Sequence, residues 1–149
     1  MDSLESINNL IEKLKDEVQQ LKMEYILAKD DASNMTGTTP MSKIAMHVRI
    51  RDSGFSIEWR KIVPTKKKNG TMKPLLIGIN KGKSDGYDLR TLSNESADWE
   101  RDVTIQFEEK ARHLRQMLRE ATSAKRSMRF AELRQQKIAE YLERKGRTS

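Results

Sequence analysis

Two groups of cations stand out as the side chains able to do chemistry. Lys66-Lys67-Lys68 leads into Asn69-Gly70 and is followed by Lys73, with Lys61 a few residues before. Ammonium groups on a protruding turn are compact charges suited to phosphate oxygens rather than to particular bases. The second group is Arg112, Arg115, Arg119 and Arg126, continued by Lys137. Turned at about 100° per residue, these fall within roughly a 60° arc, about 130° from the apolar stripe of the same segment. Guanidinium groups in such a row can grip phosphates bidentately or read guanine in a major groove.

No other constellation assembles a reaction centre. The chain has no cysteine, which excludes disulfides, thiol catalysis and cysteine-ligated zinc. Its two histidines, His47 and His113, are far apart. Glu108 and Glu109 are neighbours, so on a helix they point about 100° apart and do not converge. Asp85-Gly86 with Asp88 lacks the ligand series of a calcium loop. The run from Gly78 through Gly82-Lys83-Ser84 has the residue types of a phosphate loop but is one residue short of its spacing. The expectation is a non-enzymatic chain that uses no metal and no cofactor.

The charge is arranged in blocks. Lys plus Arg number 29 against 22 Asp plus Glu, a formal net charge of +7. Residues 1–40 carry 4 basic and 8 acidic side chains, and residues 41–94 carry 12 and 4. Residues 95–109 carry 1 and 6, and residues 110–149 carry 12 and 4. Blocks of one sign point to a polyanionic partner, of which nucleic acid is the commonest. No run of about 18 apolar residues is present, and the acidic Met1-Asp2-Ser3-Leu4-Glu5 is unlike a signal peptide. A cytoplasmic location and no membrane partner are expected.

The elements that must carry these charges read as α+β. From Ser3 to Asp31 one helix is expected, with Asp2 or Ser3 as its cap. Its apolar residues Leu4, Ile7, Ile11, Leu14, Val18, Leu21, Tyr25 and Ala28 keep alternating steps of three and four, a heptad seam. Such a seam suits a two-stranded homodimeric coiled coil (residues 1–31 then forming a dimerising unit). The expectation is that Leu4, Ile7, Ile11, Leu14, Val18, Leu21 and Tyr25 form the dimer seam; the alternative is packing on the chain's own domain, for instance against the C-terminal helix. Residues 32–42 read as a linker rich in turn formers. Residues 43–145 read as one α+β DNA-binding domain. Within it, alternation over Ile44–Arg51 and Phe55–Arg60 predicts a small antiparallel meander. Asn69-Gly70 predicts a type I′ hairpin, and Pro64 and Pro74 confine the ribbon to a sheet edge. Leu75–Ile79 fits a short strand or a helical turn. From Ser96, as N-cap, to Lys145 the pattern is helical, but its seam slips phase near 121–125, so one bent helix or two fit equally. Residues 146–149 read as a disordered tail.

Several segments together carry a likeness: Phe55-Ser-Ile-Glu-Trp-Arg-Lys-Ile62, the lysine hairpin, Ile79-Asn-Lys-Gly-Lys83, Tyr87, Ala97-Asp-Trp-Glu100, and Ala111-Arg-His-Leu-Arg115. Over roughly residues 1–120 the chain resembles the MobI-type auxiliary mobilisation proteins of integrative conjugative elements and conjugative plasmids. The resemblance implies a bacterial accessory factor that recognises the origin of transfer in double-stranded DNA and helps the relaxase or other transfer proteins. It carries over no catalytic residue and no DNA-reading position. Two other classes compete: a structural or adaptor coiled-coil protein, and a DNA-binding transcriptional regulator. About 6–8 phosphate contacts would give a log–log salt slope near −5 to −7, which an adaptor would not show.

Overall fold

Asp2 opens the first helix: its carboxylate accepts the Glu5 N–H at 2.6 Å. The computed structural model describes residues 2–147. Helix α1 spans Ser3–Met35, four residues beyond the expected end, and Gly37 at φ 72° turns the chain away. Strands β1 (Ile44–Arg51), β2 (Gly54–Lys66) and β3 (Met72–Gly78) form an antiparallel sheet in the order β1-β2-β3. Helix α2 (Leu89–Glu95) and a 3-10 turn (Asp98–Glu100) lead into α3, a single helix from Arg101 to Arg147. The architecture is α+β, as expected.

The heptad stripe of α1 is spent inside the chain. Ile11, Leu14, Val18, Leu21 and Tyr25 are buried, while Leu4 and Ile7 near the helix start are half-buried. From Leu14 onward the stripe joins one cluster with Ile44, Met46, Ile57, Trp59, Phe107 and Ala111. This departs from the dimer seam expected of these residues: from Ile11 to Tyr25 the stripe is buried against the chain's own sheet and C-terminal helix, because apolar heptad positions cover whichever apolar face is within reach. Tyr25 organises the centre, meeting Trp59 at 5.6 Å and Phe107 at 5.5 Å, both edge-to-face. Such pairs contribute about 0.5–1.5 kcal/mol each beyond their buried area. Trp59 is fully buried and belongs to this core.

The meander follows the expected register, with Ile44 opposite Lys61 and Arg51 opposite Gly54. The hairpin at Asn69-Gly70 differs in type. A type I′ turn needs two residues at positive φ, and Gly70 (φ 87°) alone has it there. Gly70 N–H donates to the Lys67 carbonyl at 2.9 Å and Lys67 N–H to the Thr71 carbonyl at 2.7 Å. That is a three-residue loop, with the left-handed glycine closing it as a bulge. Ile79 N–H donates to the Trp59 carbonyl, so odd-numbered residues of β2 turn their backbone groups toward β3. Pro64 and its partner Pro74 therefore sit where no ladder bond is lost.

The region before α3 departs from expectation. Ser96 does not cap α3 but closes α2, its hydroxyl donating to the Leu92 carbonyl at 2.7 Å. The helix-starting role falls to Glu100, whose carboxylate accepts the Ala97 N–H at 2.9 Å. This buried carboxylate also accepts from the Ser42 hydroxyl (2.6 Å) and the Lys43 N–H (2.8 Å), with Lys29 at 3.3 Å. One side chain thus ties α1, the entry to β1 and the start of α3 together. Through 121–125 α3 stays unbroken, since Thr122 and Ser123 each cost a helix only a few tenths of a kcal/mol. Gly146 and Arg147 still belong to α3; the rest of the expected tail, Thr148 and Ser149, lies outside the described residues.

Candidate nucleic-acid interface

The cations occupy two surfaces. β2 and β3 run on past the body as a two-stranded ribbon, since β1 pairs only as far as Lys61. Lys66, Lys67, Lys68 and Lys73 are exposed at its tip. None of the four makes a side-chain hydrogen bond or ion pair among the described residues. Lys61 sits nearer the body and faces Glu95 at 3.3 Å. The ribbon is half apolar as well, for Met72, Leu75, Leu76 and Ile77 are exposed beside the lysines.

The arginine row of α3 divides into three kinds. Arg115 is structural: its side chain is only 10% exposed and makes two 2.9 Å bonds to the fully buried Glu108. It also donates to the carbonyls of Ile57 (2.9 and 3.1 Å) and Asp85 (2.9 Å). Glu108 is completed by the Trp59 indole N–H at 2.9 Å and the Tyr87 N–H at 2.8 Å. The Arg115 guanidinium is thus fully engaged inside the molecule and is not free for the DNA contact expected of it. Arg112 and Arg119 form the second kind, exposed but latched to the loop before α2. Arg112 donates to the Tyr87 carbonyl at 3.2 Å. It lies so close over Gly86 that a Cβ there would collide with its guanidinium. Arg119 grips Asp85 through both carboxylate oxygens at 2.9–3.1 Å. That hydrogen bond holds the Asp85 carboxyl below its ordinary range and raises Arg119. Arg126 is the third kind, exposed and without such a tie among the described residues.

At the base of the ribbon, against α3, lies a groove of about 850 Å³. Its floor is the edge of β2 from Phe55 to Trp59, left open because β3 pairs only from Arg60 onward. Lys81, Arg119 and Arg126 stand around it, with Thr122 and Ser123 on the α3 wall. The Ser56 hydroxyl is buried there without a hydrogen-bond partner among the described residues. The glycine-rich segment that resembled a phosphate loop lines the same groove at Gly78–Gly82, but no helix begins at Ser84. Lys81 donates to the Ser84 carbonyl instead.

Sequence reasoning misses Glu108 and Asp85, the carboxylates that decide which arginines are tied down. The signal for Glu108 is present: Arg115 follows it by seven residues, two helical turns, so both lie on one face. A family model described as MobI protein matches residues 14–129. The chain belongs to the MobI family. The match covers the stripe of α1 from Leu14 onward, the whole sheet and α3 as far as Arg129. MobI is an auxiliary mobilisation family and is not known as a family of enzymes, so the chain is assigned a mobilisation-related accessory role. No curated protein and no solved structure matches. Among the described residues no group of His, Asp and Glu could hold a metal ion, and no helix is long and apolar enough to cross a membrane.

Proposed function

We propose that this MobI protein binds double-stranded DNA at an origin of transfer and there assists the relaxase. The reading rests on one observation above the others: Lys66, Lys67, Lys68 and Lys73 are gathered at the ribbon tip, and these four and Arg126 on α3 make no side-chain hydrogen bond or ion pair among the described residues. A solvated surface would mix them with carboxylates. Lys66, Lys67, Lys68 and Lys73 contact phosphates from the ribbon tip and Arg126 from the groove wall on α3, while Arg119, latched to Asp85, holds that wall in place. Such contacts position the protein without reading sequence. Any sequence preference then comes from outer α3 or from the shape of the duplex.

The test is a salt titration of binding to origin-derived and random duplexes. Five phosphate contacts per chain give a log–log slope of roughly −4 to −5 between about 50 and about 300 mM salt. Binding that is weak and indifferent to salt on both duplexes would sink the reading. Equal affinity for both duplexes would keep the DNA contact and remove the origin.

A further inference from the structure

We propose that the outer half of α3 docks on the outward face of α1 in a second copy of this chain, each molecule giving its α3 and receiving its partner's. From Arg129 to Arg147 every residue of α3 is exposed, a reach of about 27 Å at 1.5 Å per residue. A helix serving only as a charged arm has no use for large apolar side chains. Yet Phe130, Leu133, Ile138, Tyr141 and Leu142 are each more than half exposed. At about 100° per residue, Phe130, Tyr141, Ile138 and Leu142 share an arc of about 120°, centred roughly 90° from the Arg126–Lys137 row, while Leu133 falls at the edge of that row. The arginine row and the apolar arc therefore serve two different neighbours.

The matching surface is on α1. Opposite its buried stripe, Met23, Ile26 and Leu27 are exposed, with Asp16 before them and Asp30 after them on the same side. Charge selects the pairing. Residues 122–147 carry eight Lys and Arg against three Glu, and α1 carries seven Asp and Glu against four Lys. Two α3 arms would repel, and so would two α1 faces; an α3 arm on an α1 face attracts. The body's geometry permits both contacts at once. α1 and α3 run antiparallel, for Glu24 reaches Lys110 while Lys29 reaches Glu100. Met23–Leu27 thus stands level with the early part of α3, about 40 Å along the axis from Ile138. A two-fold axis reverses the partner, so the arm of each chain falls on the α1 of the other. The interface closes on itself as a dimer rather than growing into a filament.

The chain's lack of cysteine makes the contact directly testable. Met23→Cys and Ile138→Cys are prepared separately, mixed and oxidised with copper phenanthroline. The expected result is a disulfide-linked pair in the mixture and little in either sample alone. Crosslinking only within the Ile138→Cys sample would put arm on arm and overturn the proposal. Light scattering without DNA should give about twice 17.3 kDa for the unaltered chain. Ile138→Asp with Leu142→Asp should give a single-chain mass with an unchanged helical spectrum, since both side chains lie outside the core. A single-chain mass for the unaltered protein at about 100 µM would also overturn it. Neither measurement involves DNA, so each can fail while the proposed function stands.

Discussion

Arg115 looks from its position like one more cation in a row, and its surroundings make it a different object. Removing one member of a buried pair leaves the other charged and unpaired, at a cost of about 3–5 kcal/mol. Arg115→Ala should therefore lower stability by that amount in urea unfolding followed by tryptophan fluorescence. Lys67→Ala, fully on the surface, should stay within about 0.5 kcal/mol. A mild effect at Arg115 would mean that Glu108 is satisfied by Trp59 and Tyr87 alone. Tyr25 gives a pH dependence. Burial, with Glu100 nearby adding to it, holds its phenol protonated well above the ordinary value of 10. Burial pushes neighbouring Lys29 the other way, below 10.5. As pH rises past 10.5 the unfolded chain gives up its Lys29 proton too, and the Tyr25 and Tyr87 phenols, both raised by burial, come to set the slope. The unfolded chain then holds fewer protons than the folded one, and stability falls as pH rises. Unfolding midpoints measured between pH 10.5 and 12 should decline, and Tyr25→Phe should flatten that decline.

The ribbon and α3 make separable contributions to binding. Replacing Lys66, Lys67, Lys68 and Lys73 together by Ala should reduce the salt slope by about 3–4 and weaken all duplexes alike. The melting temperature should not move, because none of the four touches the core. Loss of binding on one sequence only would instead assign bases, not phosphates, to the tip. At this scale the sequence is legible wherever periodicity is clean. The alternation over Ile44–Arg51 is β1, and the three-four steps of α1 are its buried stripe. α2 is not legible, because seven residues with Leu92 alone buried show no period. Its one signal is Asp88, which by type resembles a metal ligand and in fact is the cap that accepts from the Arg90 N–H and the Thr91 hydroxyl. The arginines are legible as a row, but nothing in their spacing separates the tied members from the free ones. The carboxylates that sort them, Glu108 and Asp85, are brought to the row by the fold.

At the scale of the molecule, α1 is a wall of the one hydrophobic cluster formed by the described residues rather than an appended zipper. A chain beginning at Ser33 should accordingly lose its cooperative thermal transition and aggregate. Were α1 merely a dimerisation tag, the same truncation would leave a folded monomer, so circular dichroism with light scattering separates the two. The heptad cannot make that distinction, because a stripe of Leu, Ile and Val fits a partner helix or a sheet equally well. The exposed ribbon sets a different hazard. β3 is an edge strand whose Leu75, Leu76 and Ile77 lie open to solvent, and Pro74 withholds an amide on its outer side. Replacing Pro74 with Val restores that donor inside an apolar run and offers a template for strand-by-strand accretion. The variant should nucleate thioflavin-positive fibrils under conditions where the parent chain stays dispersed. In this ribbon the proline guards colloidal behaviour, leaving the lysines free to be chosen for what they touch.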